Sequence, residues 1–153
     1  MGNEKTVRIG IIGCGGIANG KHMPSLRQIP GVQMVAFCDI IEERARKAKQ
    51  DYGTPDAAVY TDYRKLLEDK TIDVVHVCTP NRAHSFITVD ALHAGKHVMC
   101  EKPMAINAAE AKKMLDAAKE TGKLLTIGYQ SRQRADAQYM KQECLAGTFG
   151  DIY

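Results

Sequence analysis

Short runs of apolar and β-branched residues alternate along the chain with longer segments of helix-compatible sequence. This pattern predicts six strands, at residues 7–12, 32–38, 57–60, 73–78, 96–100 and 124–129. It predicts helices at residues 16–29, 41–52, 62–69, 83–94 and 108–121, with a further amphipathic stretch at 132–146. Nearly continuous apolar strands separated by helices indicate a parallel sheet covered on both faces, because each crossover helix buries one face. The sequence therefore predicts a doubly wound α/β domain.

Helix-end residues support these boundaries. Asn107 precedes the last of the five helices and Glu110 follows three residues later, which is the pattern of a capping box. Gly53, Gly95 and Gly122 follow predicted helix ends, as glycines at the C′ position do. These residues indicate where one helix starts and where three stop.

Composition and charge are those of an ordinary globular protein. The chain has 153 residues, of which 44% are apolar and 25% charged, and its net charge is +3. A surplus this small gives no indication of nucleic-acid binding. The start of the sequence contains no apolar signal core, and no window reaches the roughly 18 apolar residues that a membrane span requires. We therefore expect a cytoplasmic protein that binds neither nucleic acid nor membrane.

The five cysteines give no sign of a disulfide framework or a metal site. Their number is odd, and no two of them form a CxxC pair. Cys38, Cys78 and Cys100 each close an apolar run, so we interpret them as small buried hydrophobic residues. No bound metal is predicted.

The sequence GIIGCGGIA has four glycines where the first strand turns into the first helix. Gly13 permits the tight turn, Gly15 lets the backbone approach a pyrophosphate, and Ala18 lets helix and strand pack closely. Free N–H groups at the helix start, together with its dipole, favour phosphate. We therefore assign a dinucleotide site to Gly13, Gly15, Gly16 and Ile17. A tight turn without a ligand is the alternative.

An acidic residue closes the second strand. Asp39 follows Gly13 by 26 residues, where a carboxylate accepts hydrogen bonds from the adenosine ribose hydroxyls. A carboxylate at this position repels a 2′-phosphate, so the sequence favours NAD over NADP. Arg44 and Arg46 follow on the next helix and leave NADP as the alternative cofactor.

The segment CTPNRAH leads out of the fourth strand. The ligand crevice of an open α/β sheet lies outside the carboxyl ends of its strands, where the strand order reverses. We therefore predict that Thr79, Pro80 and Asn81 contact the cofactor, although Asn81 could equally cap the following helix. His84 falls in the first helical turn and is a further candidate cofactor residue, with a packing role as the alternative.

The sequence CEKP ends the fifth strand at the same edge of the sheet. Lys102 would reach the place where nicotinamide and substrate meet, whereas on an ordinary loop it would be only a solvated charge. A lysine at this place suits a group that exchanges a proton with a substrate hydroxyl. We predict that Lys102 is catalytic and contacts the cofactor, that Glu101 orients it beside the cofactor, and that Pro103 fixes the exit of the chain.

Five segments together resemble one family of dehydrogenases. They are GIIGCGGIA, the CD pair at 38–39, CTPNRAH, AGKHVMCEKP and IGYQSR, within residues 6–153. Over nearly all of this range the chain is similar to the nucleotide-binding half of the glucose-fructose oxidoreductase, inositol dehydrogenase and rhizopine catabolism family. The segment AGKHVMCEKP is specific to this family among Rossmann proteins.

The resemblance implies a Rossmann fold and an NAD- or NADP-dependent enzyme. Such an enzyme oxidises or reduces a hydroxyl or keto carbon of a sugar, an inositol or a related polyol. The resemblance also implies that Lys102 lies against the substrate hydroxyl and that the peptide before Pro103 is cis. Residues similar to Gln130 and Arg132 lie near the cofactor or the domain junction, and we include Gln130 among the cofactor-binding residues.

Members of the family are more than twice as long as this chain. Their second domain, an α+β unit on a large antiparallel sheet, binds substrate, carries an Asp and His acid–base pair and forms the oligomer interface. We therefore expect an NAD(P)-binding domain at residues 1–130, with a connecting helix and the start of a truncated substrate domain at residues 131–153. We expect the fragment alone to be inactive and the parent protein to be a homo-oligomer.

Two other functions fit parts of the sequence. A family member that has lost catalysis could act as an NAD-responsive regulator or scaffold, but the retained Lys102 argues against this. An unrelated Rossmann enzyme, such as a homoserine or dihydrodipicolinate-type reductase, would lack EKP after the fifth strand. The sequence therefore favours the dehydrogenase.

Overall fold

Six parallel strands form one sheet in a computed structural model that describes residues 6–152. Residues 1–5 and 153, at the ends of the predicted ranges 1–130 and 131–153, lie outside the described residues. The strands are β1 (Val7–Ile12), β2 (Val32–Cys38), β3 (Ala58–Tyr60), β4 (Val74–Val77), β5 (His97–Cys100) and β6 (Leu125–Ile127). Their order is β3-β2-β1-β4-β5-β6. The predicted doubly wound α/β fold with six strands is confirmed.

The strand order reverses between β1 and β4. Ile12 lies beside Cys38 of β2 on one side and beside Val77 of β4 on the other. The chain leaves β1 and β4 in opposite lateral directions, so a crevice opens outside the carboxyl ends of these two strands.

Helices cover both faces of the sheet. They are α1 (Met23–Leu26), α2 (Glu42–Tyr52), α3 (Tyr63–Glu68), α4 (His84–His93), α5 (Ala108–Thr121) and α6 (Ala135–Leu145). Side chains of β1 alternate between two buried clusters: Ile11 packs with Met23 and Phe37, and Ile12 packs with Leu92 on the other face. Within residues 6–152, no helix is both long and apolar enough to cross a membrane.

The first helix differs from the prediction at 16–29. A π-helical turn at Ala18–His22 leads directly into the four-residue helix α1. Pro24 lies in this segment and has no N–H to donate to the carbonyl of Gly20, so a regular α-helix cannot continue through it. The wider π turn occupies the positions before the proline, as such turns do where the α-helical ladder is interrupted.

Three of the four helix-end predictions are confirmed. The Asn107 side chain accepts a hydrogen bond of 2.9 Å from the Glu110 N–H, and Gly95 and Gly122 have φ of +84° and +64°. Gly53 differs, because its backbone is extended with φ −77°. A Cβ at Gly53 would lie 2.8 Å from the carbonyl oxygen at position 49, so close packing is what requires glycine there.

Lys96 is buried before β5, although lysine is almost never buried without a partner. Its Nζ donates hydrogen bonds to the carbonyl oxygens of Asp69 and Ile72, in the connection between α3 and β4. Burial lowers the pKa of Lys96, because it disfavours the charged form. The side chain therefore holds the start of β5 against the end of α3.

Replacing Lys96 with Met is expected to lower the free energy of unfolding by about 1–3 kcal/mol, because two buried carbonyl groups lose their donor. Urea unfolding of the chain, followed by circular dichroism, measures the change. Lys112→Met is the matched control, since Lys112 is exposed on α5 and its ion pair with Asp116 contributes little. Equal midpoints for the two variants would contradict the role given to Lys96.

Candidate functional site

The turn after β1 passes very close to the chain that leaves β4. Gly13 has φ of +91°, and a Cβ at this position would lie 2.7 Å from the carbonyl group of Cys78. Gly13 therefore cannot be replaced without moving one of the two backbones. A Cβ at Gly15 or Gly16 would meet no atom within 4 Å, so this part of the turn faces open space.

Asn19 holds the turn in place. Its Nδ2 donates hydrogen bonds to the carbonyl oxygens of Cys14 at 2.7 Å and of Gly15 at 3.0 Å. Ala18 is fully buried against the sheet, as the sequence predicted, while Ile17 is 41% exposed at the outer side of the turn. These contacts hold the turn at the carboxyl end of β1.

Asp39 is buried beside the same turn. One carboxylate oxygen accepts the N–H of Cys14 at 2.9 Å, and the other accepts the N–H of Ile41 at 2.9 Å. The side chain is only 8% exposed. Since each carboxylate oxygen can accept two hydrogen bonds, Asp39 holds the glycine turn and α2 and retains capacity for a ligand.

The segment after β4 has an unused hydroxyl. Within residues 6–152, the buried Oγ1 of Thr79 has no hydrogen-bond partner. Pro80 and Asn81 are exposed, and Asn81 begins a 3₁₀ turn without making a side-chain cap. The capping alternative for Asn81 is therefore not seen, and its amide faces solvent.

His84 is fully buried and connects two loops. Its Nδ1 lies 2.7 Å from the carbonyl oxygen of Pro103, and its Nε2 lies 2.8 Å from that of Thr79. Both ring nitrogens are therefore occupied by backbone oxygens, which favours the packing alternative over direct ligand contact. The histidine joins the segment after β4 to the loop after β5.

The loop after β5 presents Lys102 to solvent. Within the described residues, Nζ of Lys102 makes no hydrogen bond or ion pair, and the Lys102–Pro103 peptide is cis, as the resemblance implied. Glu101 Oε2 accepts the backbone N–H of Lys102 at 3.0 Å. Glu101 therefore acts on the backbone of the loop and not on the ammonium group.

Two buried histidines extend from Glu101 into the protein. Nε2 of His22 lies 2.7 Å from Glu101 Oε1, and Nδ1 of His22 lies 3.0 Å from Nδ1 of His76. Burial, reinforced by the neighbouring ring of His22, lowers the pKa of His76 to about 4. This arrangement was not predicted from the sequence, where the one signal for it is a histidine inside the apolar run of β4.

Gln130 lies apart from these contacts. It begins the 3₁₀ helix Gln130–Gln133 after β6 and is exposed. The guanidinium of Arg132 in the same turn lies 5.8 Å from the ring centroid of Tyr129. These residues mark the point where the chain leaves the sheet.

The four cysteines near the strand ends are buried and free, and Cys144 is exposed on α6. Burial raises the pKa of Cys14 and of Cys38 to about 12 and that of Cys100 to about 11, and it also raises the pKa of Cys78. Such thiols stay protonated and unreactive. The interpretation of Cys38, Cys78 and Cys100 as buried hydrophobic residues is confirmed.

Comparison with known families identifies the origin of this arrangement. The family model GFO_IDH_MocA, described as an oxidoreductase family with an NAD-binding Rossmann fold, matches residues 7–129. The chain belongs to this family. The match covers the whole sheet and the loops that follow β1 to β5 at its carboxyl edge.

Two relatives in this oxidoreductase family are named as dehydrogenases of a glucoside and of an inositol. D-glucoside 3-dehydrogenase of Escherichia coli is 37% identical over 147 residues, which are 96% of this chain and 41% of that protein. Inositol 2-dehydrogenase of Salmonella typhimurium is 35% identical over 146 residues, 95% of this chain and 43% of the relative. The chain therefore spans less than half the length of these two relatives.

Solved structures of the family have the same fold. Myo-inositol 2-dehydrogenase from Lactobacillus plantarum superposes with a TM-score of 0.85 at 29% identity, over 97% of this chain and 43% of that one. A 3-ketoreductase from Actinomadura kijaniata, crystallised with NADP and TDP-benzene, gives a TM-score of 0.85 at 27% identity, over 94% and 43% of the two chains.

The residues of this NAD-binding Rossmann domain fit a dinucleotide. The backbone at Gly15 and Gly16 faces open space, where a phosphate could approach. The buried Oγ1 of Thr79 has no partner within residues 6–152 and is free to bond a ligand in the crevice. Both features lie where the strand order reverses, which is where ligands bind in open α/β sheets.

His76 is expected to make the protein sensitive to acid. Between its pKa of about 4 in the folded chain and its ordinary value of 6.5, only the unfolded chain binds the proton, so stability falls as the pH falls through this range. His76→Gln removes this titration. The variant should lose roughly 2 kcal/mol less stability than the wild type between about pH 7 and about pH 5.

Urea unfolding at the two pH values measures this difference. His93→Gln is the control, because His93 is exposed and lies 3.5 Å from Glu120 at the surface. A loss of stability in His76→Gln equal to that of the wild type would show that His76 does not carry the effect.

Proposed function

We propose that the whole protein, whose NAD-binding domain lies in this chain, transfers a hydride between a nicotinamide cofactor and a sugar, an inositol or a related polyol. The observation that carries the proposal is Lys102: its ammonium group is free within residues 6–152, on a loop fixed at the same sheet edge as the glycine turn. The names of the glucoside and inositol dehydrogenases similar to this chain support the substrate class.

The cofactor is held, in this proposal, by three groups of residues. The N–H groups of Gly15, Gly16 and Ile17 bind the pyrophosphate, because they lie at a helix start and the turn at Gly15 and Gly16 faces open space. Gly13 contributes the tight turn, since its own N–H donates to the carbonyl oxygen of Cys38. Asp39 accepts the ribose hydroxyls. The segment after β4 contacts the nicotinamide half through Thr79, Pro80 and Asn81.

Lys102 acts on the substrate hydroxyl. When bound, the nicotinamide accepts or returns the hydride. A lysine side chain beside the reacting carbon donates a hydrogen bond to the substrate oxygen when it is an ammonium group. As the neutral amine it accepts the proton of the substrate hydroxyl. The exposed side chain of Lys102 can contact a substrate, and the hydrogen bond from the Lys102 backbone N–H to Glu101 fixes the loop. Gln130, at the point where the chain leaves β6, borders this end of the site.

NAD is the favoured cofactor. The residue that follows Asp39 is Ile40, which is 89% exposed and offers no donor to a 2′-phosphate. Arg46 on α2 is engaged by Glu42 one turn earlier. The buried carboxylate disfavours a second phosphate at the ribose, whereas Arg44, exposed and without an ion pair within residues 6–152, keeps NADP as the alternative cofactor.

The segment 131–153 belongs, we infer, to the connection with a substrate domain. Its helix α6 buries none of its residues among those described, and it packs chiefly against the preceding 3₁₀ turn. Hydride transfer requires a substrate held against the ring, so this chain alone is expected to bind the cofactor without turnover. A homo-oligomeric assembly and a cytoplasmic location remain predictions.

Replacing Asp39 with Asn is expected to weaken NAD⁺ binding by about 1–3 kcal/mol, because a charge-assisted hydrogen bond to the ribose is lost. NADP⁺ binding should weaken less or improve. The ratio of the two affinities, measured by calorimetry on this chain, separates the ribose contact from the hydrogen bonds to Cys14 and Ile41, since damage to the turn affects both cofactors alike.

Asp62→Asn is the matched control for this measurement. Asp62 also follows a strand at the same edge, and it caps α3 through the N–H of Arg64 at 2.9 Å. The control should leave the NAD⁺ to NADP⁺ ratio unchanged. An Asp39→Asn variant with the wild-type ratio would remove Asp39 from the ribose site.

Lys102→Met, tested in the whole protein, is expected to lower kcat by about 10²-fold or more, the usual scale for a positioned acid–base group. NAD⁺ affinity should change little, because the dinucleotide is held by other residues. Steady-state oxidation of inositols and aldoses measures kcat, and Lys119→Met, at an exposed position of α5, is the control. Normal turnover in Lys102→Met would return this lysine to an ordinary surface charge.

A further inference from the structure

Two buried histidines and the half-buried Glu101 form a row of contacts that joins three elements of the domain. Glu101 precedes Lys102 in the loop after β5, His22 ends the π turn that follows the glycine turn, and His76 lies within β4. His22 and His76 are 8% and 9% exposed, and the heavy-atom separations along this row are 2.7 Å and 3.0 Å. None of these histidine contacts has a role in the proposed function.

The hydrogen bonds among Glu101, His22 and His76 can all be satisfied together. Nε2 of His22 donates to the carboxylate of Glu101. Between the two Nδ1 atoms one ring donates and the other accepts, so His22 uses both of its nitrogens. The second oxygen of Glu101 accepts the N–H of Lys102. The imidazole of His22 is therefore connected to the backbone of Lys102 through a single side chain.

The same loop is held on its other sides. His84 bridges the carbonyl oxygens of Pro103 and Thr79. A Cβ at Gly128, just after β6, would lie 3.2 Å from Glu101 Oε1, so the backbone there packs directly on the carboxylate. Glu101 and Pro103 are thus fixed by buried contacts, whereas the Lys102 side chain between them is exposed.

We propose that His22 is a positioning residue for the nicotinamide end of the site. It belongs to the helical segment whose first turn faces the phosphates, and through Glu101 it sets where the backbone of Lys102 lies. The element that anchors the pyrophosphate therefore also fixes the loop beside the nicotinamide. This inference rests on the proposed function and adds a role for a residue that touches neither cofactor nor substrate.

The test compares NAD⁺ with ADP-ribose, which lacks the nicotinamide, by calorimetry on this chain. If His22 positions the nicotinamide end, His22→Leu should weaken NAD⁺ binding by about five- to tenfold, because a charge-assisted hydrogen bond is removed, and leave ADP-ribose within about twofold. His22→Gln, whose amide can donate to Glu101, should keep most of the preference for NAD⁺. His93→Leu, at an exposed position, is the control.

The outcomes separate the two proposals. A wild-type chain that binds neither ligand overturns the proposed cofactor site and this inference with it. A wild-type chain that binds both ligands equally, or a His22→Leu variant that weakens both alike, overturns the inference alone. If His22→Leu does not fold, Glu101→Gln removes the charge at nearly constant volume, and an unchanged ratio in that variant has the same meaning.

Discussion

The close approach of two backbones at the reversal of strand order governs the whole site. The turn after β1 can pass under the carbonyl of Cys78 only because Gly13 has no side chain and adopts a positive φ. That approach brings the segment after β4 beside the glycine turn. Asp39 then reaches the N–H of Cys14, and Thr79 lies at the same opening. Without this contact the two halves of the crevice would not meet.

Buried polar side chains, more than apolar packing, hold the loops around this opening. Asp39 connects the glycine turn to α2, His84 connects the loops after β4 and β5, and His22 connects the π turn to Glu101. Hydrogen bonds of this kind are strong in a low dielectric and costly to leave incomplete, so each one selects a single loop conformation. Surface loops are ordinarily mobile, and this network explains how Lys102 can be both exposed and fixed.

Sequence reasoning predicted the elements whose signals lie in neighbouring residues along the chain. Apolar periodicity predicted all six strands, and the glycines after the first strand predicted the tight turn at Gly13. It did not reach Lys96, His22 or His76, because their partners lie 24–27, 79 and 54 residues away and only the folded sheet brings them together. Each of these residues stands beside or within an apolar segment, where a polar side chain is costly unless paired. That local cost signals a partner without identifying it.

The arrangement of buried and exposed groups divides the chemistry between two sides of the sheet edge. The groups proposed to hold the cofactor, which are the turn, Asp39 and Thr79, are buried or held by named hydrogen bonds, so their geometry exists before any ligand arrives. The Lys102 side chain proposed to act on the substrate is exposed, and α6 adds no buried residue among those described. Preorganised groups bind with less loss of entropy, whereas a single exposed ammonium confers little selectivity among hydroxyl compounds. Under the proposed function, selectivity among polyols therefore depends on further groups that pack against the Lys102 side of the opening.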